Sequence, residues 1–311
     1  MTDHTVRPDV HGFLEALKAL GGMEMSAMAL ADARAAYLAM KDFGEVAPRD
    51  LAVIRDLTCP GPAGDIPLRF YDAREAREPG PVLMFFHGGG FTIGDLDTHH
   101  ALCTEIAAEL DLPVVAVHYR LAPEHPFPAA PDDCEAATRW VAGSPAELSR
   151  DITGLIPIGD SAGGNLAIVI TQALMAAPAA APVVLQVPIY PLSDETPDHP
   201  SMLDHGEGRL LTKAAMDWFA TSYAAQDGHP RAFPIHGDHT AMPPTVLVTA
   251  GLDPIRDSGR VYGAQLILAG SDVVFIELKG TIHGFTTLRK ALPSAEGDMA
   301  RIFAAVRLML T

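Results

Sequence analysis

The sequence predicts an α/β fold, a mostly parallel, doubly wound central sheet flanked by helices. Two observations carry this. Short, continuous apolar runs recur from Pro81 onward: PVLMFFH, LPVVAVHY at 112–119, LIPIG at 155–159, VVLQVPIY at 183–190, TVLVTAG at 245–251 and DVVFIEL at 272–278. Runs rich in Val and Ile without polar alternation suit strands buried on both faces of a parallel sheet. Between them lie helical candidates around 98–110, 131–142, 161–177, 255–269 and 294–309, so strand and helix alternate. Two earlier segments, LAVIRDLTCP and IPLRFYDA, read as a hairpin at one edge of the sheet.

Two stretches fall outside the alternation and divide the chain. Residues 1–45 carry a helix-like pattern of Phe13, Leu14, Leu17 and Leu20, and residues 194–230 interrupt two strands. They are expected to form one helical cap in two pieces, leaving 46–193 and 231–311 as the two parts of a catalytic domain. Met23, Met25, Met28 and Met40 in the first piece, with Trp218 and Phe219 in the second, could line an adaptable apolar pocket or simply pack the cap onto the sheet. The Ala/Pro-rich APAAAP at 177–182 reads as a helix end and loop.

Composition narrows the function. A content of 48% hydrophobic and 20% charged residues describes a globular chain of 311 residues. With 39 acidic against 22 basic side chains the formal charge is -17, which repels polyphosphates and anionic headgroups, so no nucleic-acid partner is expected. Cys59, Cys103 and Cys134 form no CxxC pair, which suggests neither a disulfide scaffold nor a metal site and fits a reducing cytoplasm. The amino terminus lacks a signal-peptide pattern and nowhere are there eighteen consecutive apolar residues, so no stable membrane insertion is expected. A homodimer is left open.

The chemistry concentrates at strand ends. Ser161 lies in Gly159-Asp160-Ser161-Ala162-Gly163, directly after LIPIG and before the helical AGGNLAIVITQALM. A G-x-S-x-G at a strand-to-helix turn presents its Ser as a nucleophile, and the turn is sharp enough that side chains at 159 and 163 would clash with backbone. A bare G-x-S-x-G is often only a Gly/Ser loop; the strand before and the helix after argue for the nucleophile. His87-Gly88-Gly89-Gly90 follows the strand PVLMFF, where glycines let backbone N–H groups approach a tetrahedral oxyanion. Gly88, Gly89 and Ala162 are therefore the expected oxyanion hole. A nucleotide phosphate loop is the competing reading, but neither G-x-G-x-x-G nor a following Lys-Ser/Thr is present. His87 is read as a structural anchor of the loop.

Chain order selects the base and its acid. Asp253 follows TVLVTAG and His283 follows DVVFIEL, giving the order Ser, Asp, His at successive late strand ends. A neutral His can take the Ser proton and return it to the leaving alcohol, while a buried Asp fixes its tautomer. Asp257 is the rival acid, expected instead to support the Asp253 loop or face solvent. His199, His205, His229, His236 and His239, in or near the cap, receive no role.

Over roughly 80–290 the chain resembles the hormone-sensitive-lipase-like family of bacterial esterases, of the α/β-hydrolase superfamily. The likeness rests on HGGGF at 87–91 followed by IGDLDTH at 93–99, YRLAPEHPFPAAPDD at 119–133, GDSAGGNLA at 159–167, YP at 190–191, GLDPIRD at 251–257 and HGF at 283–285. It implies a carboxylesterase that hydrolyses short-to-medium acyl esters through an acyl-enzyme, without a cofactor, on a Ser161, Asp253 and His283 triad. It also implies that Tyr119, Arg120 and Glu124 brace the HGGG loop from behind, and Phe91, Trp218 and Phe219 are expected to touch substrate. Ser258 and His100 stand where the family often has acidic residues, and Asp160 reads as a subgroup marker more than a mechanistic part. A binding protein on the same fold would have lost a triad residue, and none is missing. Amidase, lactonase and thioesterase chemistry stay open, since the cap chooses among them. A long-chain lipase is disfavoured by the lack of a basic amphipathic helix.

Overall fold

The computed structural model describes residues 5–19, 21 and 24–311. The predicted alternation becomes an eight-stranded sheet: β1 (Val53–Gly61), β2 (Gly64–Asp72), β3 (Gly80–Phe86), β4 (Val114–Val117), β5 (Ile152–Asp160), β6 (Val187–Ile189), β7 (Thr245–Ala250) and β8 (Val273–Leu278). Their spatial order is β1-β2-β4-β3-β5-β6-β7-β8. β1 and β2 form the antiparallel edge hairpin, β2 also runs antiparallel to β4, and the remaining pairs are parallel. The helices are α1 (Pro8–Ala19), α2 (Leu30–Gly44), α3 (His100–Leu110), α4 (Ala129–Ala142), α5 (Ala162–Ala176), α6 (Pro200–His205), α7 (Lys213–Tyr223), α8 (Arg256–Leu268) and α9 (Ala295–Met309).

The continuous apolar runs have a simple cause. Side chains alternate across a strand, and helices cover both faces of this sheet. Leu83 and Phe85 of β3 join one core with Leu102 and Ile106 of α3 and Ile302 and Phe303 of α9. Val82, Met84 and Phe86 join the other with Ala137 and Val141 of α4 and Leu166 and Ile170 of α5. One expected strand is much shorter than its apolar run. Of 183–190 only Val187–Ile189 is laddered, with isolated bridges at Val183 and Gln186. Pro182 and Pro188 bring no N–H to a ladder, which limits regular pairing there.

The amino-terminal segment divides between core and cavity. Val10 and Phe13 of α1 are buried in the α3/α9 core, with Leu14 and Leu17 packed against it, while Leu20 and Met23 lie outside the described residues. Arg7 fastens this end to α9 through two bonds to Asp298, at 2.5 and 3.0 Å. The next turn, Met25–Ala27, meets α7, so the two segments outside the alternation touch each other above the sheet. Among the described residues no helix is long and apolar enough to cross a membrane.

Asp72, at the end of β2, is fully buried and accepts from Arg77 Nε at 2.7 Å, Arg150 Nε at 3.0 Å and the N–H of Arg74 at 2.9 Å. Removing it strands the buried Arg150 cation. Asp72→Ala should therefore lose about 3 kcal/mol or more in urea unfolding; an unchanged midpoint would contradict this.

Candidate active site

Ser161 occupies the single residue between β5 and α5, with φ 56° and ψ -118°. That conformation is strained for a residue with a Cβ, and the surrounding turn enforces it. A Cβ at Gly163 would lie 1.8 Å from the carbonyl oxygen of Phe86, and one at Gly159 would lie 2.4 Å from the same oxygen. Both glycines are thus required by close backbone approach, as the sequence predicts. The Ser161 N–H donates to Ile189 O at 2.9 Å, which ties the turn to β6 as well.

Two later strand ends meet this serine. His283, after β8, places Nε2 2.8 Å from Ser161 Oγ, and its Nδ1 lies 2.7 Å from Asp253 Oδ2. Asp253, after β7, is fully buried, and its other oxygen accepts the N–H of Ile255 at 2.9 Å. A carboxylate only accepts, so with neutral His283 the proton sits on Nδ1 and leaves Nε2 free to accept from the serine hydroxyl. Asp257, the rival acid, is engaged elsewhere. It accepts from Arg256 Nε, Arg260 Nη1 and the N–H of Ser201, each at 2.9 Å. Those bonds, with burial opposing them, hold its carboxyl below the ordinary range.

The glycine loop differs from expectation at one residue. Gly88 donates its N–H to Asp160 Oδ1 at 2.9 Å and stays out of the cavity wall, so it is not available to an oxyanion. Gly89 and Gly90 do line the cavity, beside Ser161 and Ala162, and among the described residues no hydrogen bond engages their N–H groups. Ala162 is the first residue of α5, where the N–H lacks an intrahelical acceptor. The expected set of Gly88, Gly89 and Ala162 therefore becomes Gly89, Gly90 and Ala162 as the donors facing the cavity. Sequence spacing alone could not tell which glycine's N–H turns inward.

His87 sits beneath this loop. Its ring is fully buried and stacks on Tyr119 at 4.3 Å, and burial, aided by His99, pushes its pKa down to about 3. A neutral His87 can donate only from Nδ1 to the Gly88 carbonyl, 2.8 Å away. Tyr119 O–H donates to the His87 carbonyl at 2.7 Å. Arg120, expected to brace the loop, is instead paired with Asp133 at 2.8 Å. Glu124 holds both terminal nitrogens of Arg34 at 2.7 Å, and Arg34 Nε donates to the carbonyl of Thr92 at 3.0 Å, just beyond the glycines. Arg34, on α2, had no sequence signal pointing to it.

Above the serine lies a cavity of about 380 Å³. Its walls include Met25, Tyr37 and Met40 from the amino-terminal segment, Phe91 from the glycine loop, and Met216, Phe219 and Tyr223 from α7. Positions 216, 219 and 223 fall on one helical face. Trp218 does not, and it stays outside the wall with its ring 5.0 Å from that of Phe219; Met28 is outside it too. Of the three expected substrate contacts, Phe91 and Phe219 face the cavity and Trp218 does not. Ser258, where an acidic residue would be frequent, bonds Ser193 and the N–H of Asp194, and His100 bonds Tyr71.

This fold, with a G-x-S-x-G elbow between β5 and α5 and an Asp and a His after the last two strands, defines an α/β hydrolase. A family model for the alpha/beta hydrolase fold matches residues 83–287. The carboxylic ester hydrolase LipN of Mycobacterium tuberculosis is 38% identical over 83% of this chain and 71% of its own length. Carboxylesterase NlhH of the same species is 33% identical over 100% of this chain and 99% of its own. An ester hydrolase from the metagenome of Lake Arreo, solved with a bipyridine phosphonate derivative, superposes with a TM-score of 0.91 at 36% identity, covering 97% of this chain and 98% of its own. The chain belongs to the α/β-hydrolase family, in its hormone-sensitive-lipase-like branch, and is a carboxylic ester hydrolase.

The elbow makes a direct prediction. Gly163→Ala forces the end of β3 and the start of α5 apart, so both the melting temperature and ester turnover should fall, turnover by on the order of 10²-fold or more. A variant with wild-type melting and wild-type kcat would contradict the close approach.

Proposed function

We propose that this enzyme hydrolyses short-to-medium acyl esters through an acyl-enzyme on Ser161, with His283 as general base and acid and Asp253 as its orienting carboxylate. The observation that carries the reading is the continuous chain of 2.8 and 2.7 Å contacts from Ser161 Oγ through His283 to Asp253 at the floor of the cavity. Ser161 Oγ attacks the ester carbonyl as His283 Nε2 accepts its proton. The carbonyl oxygen becomes an oxyanion facing the N–H groups of Gly89, Gly90 and Ala162. Collapse of the tetrahedral species expels the alcohol, which takes the proton from His283. Water, deprotonated by the same nitrogen, then attacks the acyl-enzyme, and the acid is released as His283 returns the proton to Ser161 Oγ.

Cavity size and charge favour particular esters. About 380 Å³ lies near the small end of the range for ligand sites, roughly 300–1,000 Å³, which supports a short acyl chain. The cavity walls also carry Asp160, Asp194, Glu195, Asp217 and Asp227, against Lys213 as the one Lys or Arg among the described residues lining it, itself paired with Asp217 at 2.6 Å. His199 and His236 accompany Asp194 and Glu195 at 2.9 Å. A cytoplasmic location is supported by the buried, unpaired state of Cys59, Cys103 and Cys134.

Three measurements test this reading. p-Nitrophenyl acetate or butyrate should turn over faster than the palmitate, and Ser161→Ala should stay folded with hydrolysis abolished. Preference for the palmitate sinks the short-acyl reading; substantial turnover by Ser161→Ala puts the nucleophile elsewhere. Third, an anionic substrate such as the mono-p-nitrophenyl ester of glutaric acid should show kcat/KM about tenfold or more below that of p-nitrophenyl butyrate at low salt, with the gap closing as salt rises. Equal values at low salt would remove charge as a determinant.

A further inference from the structure

We propose that Asp160 is a positioning residue serving both halves of the site: its carboxylate anchors the oxyanion loop through the N–H of Gly88 and stabilises the His283 imidazolium formed during acyl transfer. The proposal rests on His283 acting as the base, as described above. It assigns work to a residue that the sequence marks only as a subgroup feature.

The geometry links Asp160 in two directions. Its side chain is buried at 3% exposure, immediately before the nucleophile. On one side Oδ1 accepts the N–H of Gly88 at 2.9 Å, and the space beside Gly88 is filled by the carboxylate itself, with Oδ2 2.5 Å from where a Cβ would stand. Fixing Gly88 aims the next two N–H groups, of Gly89 and Gly90, at the cavity. On the other side Tyr190 O–H reaches Oδ2 at 3.4 Å. The Tyr190 hydroxyl also bonds Thr286 Oγ1, and its ring centre lies 4.6 Å from that of His283. Asp160 thus connects the loop after β3 with the loop after β8.

Charge explains why a carboxylate stands there. An amide oxygen would satisfy Gly88 equally well, whereas a buried anion carries a desolvation cost that only nearby positive charge offsets. The groups facing Asp160 come from every surrounding element: Tyr37 of α2, His87 before the glycines, His99 and Cys103 at the start of α3, Tyr119 after β4, Tyr190 after β6 and His283 after β8. Burial pushes the three tyrosines and Cys103 up and His87 down, so all five are neutral at neutral pH. His99 places Nε2 3.2 Å from Oδ1, and His283 bonds Ser161, the residue next to Asp160, at 2.8 Å. Burial opposes the anion, and His99, Gly88 and His283 overcome it to hold the Asp160 carboxyl below the ordinary range. Asp253 remains the direct partner of His283, and Asp160 adds a second anion at greater distance.

Asp160→Asn keeps the acceptor for Gly88 and removes the charge, whereas Asp160→Ala removes both. Deleting an anion near His283 lowers that residue's affinity for a proton, and His283 must be neutral to act as base. The acid limb of kcat/KM for p-nitrophenyl butyrate should therefore move to lower pH in Asp160→Asn, by about half a pH unit. Asp160→Ala should in addition lose kcat by on the order of 10²-fold with KM within about threefold, because the hole is misplaced while the cavity is intact. A limb in Asp160→Asn that stays put or moves upward overturns the electrostatic role, and a kcat in folded Asp160→Ala equal to that of Asp160→Asn overturns the anchoring role. If Asp160→Ala fails to fold, Asp160→Ser, too short to reach Gly88, takes its place in the same comparison. Inactivity of Ser161→Ala establishes the nucleophile separately, so either result counts against Asp160 alone.

Discussion

The site depends on one backbone contact, the approach of the β5–α5 turn to the carbonyl of Phe86 at the end of β3. Gly159 and Gly163 both face that oxygen at distances no Cβ could occupy. Because Phe86 is followed at once by His87 and the glycines, the same contact that lifts Ser161 out of the sheet also sets the glycine loop beside it. Ser161 and the glycine loop are therefore registered to each other through adjacent parallel strands, with Phe86 paired to Gly159. Preorganisation of this kind costs no rearrangement during the reaction.

The covering helices close on the residues just after those donors. Gly90 lies against the ring of Phe219, whose atoms stand 2.2 Å from a Cβ built there, and Phe91 stacks on Tyr223 with centroids 3.9 Å apart. From the other segment, Arg34 holds the carbonyls of Thr92 and Ala122 at 3.0 and 3.1 Å. Both pieces above the sheet thus grip residues 90–92. The cavity walls and the glycine loop are held together, so changes in α2 or α7 shift the loop as well as the wall.

Much of this was legible in the sequence because it follows from local constraints. Continuous apolar runs mark strands covered on both faces, and glycines flanking a serine between strand and helix mark a turn too tight for side chains. The order of Ser161, Asp253 and His283 at successive strand ends located three groups far apart in the chain. What failed was orientation. Gly88 and Gly90 are indistinguishable as letters, yet a carboxylate 72 residues away captures the N–H of the first. Trp218 was expected at the cavity, and the helical phase of α7 turns it aside. Asp160, Tyr190 and Arg34 meet partners brought near only by folding, which no spacing records.

The central claim is that Ser161 is the nucleophile of this site, and covalent capture tests it most directly. Wild-type enzyme inactivated with diethyl p-nitrophenyl phosphate, digested and examined by mass spectrometry, should carry one diethylphosphoryl group on the peptide containing Ser161. Ser161→Ala should carry none. Modification of a different residue, or equal labelling of the alanine variant, would contradict the account.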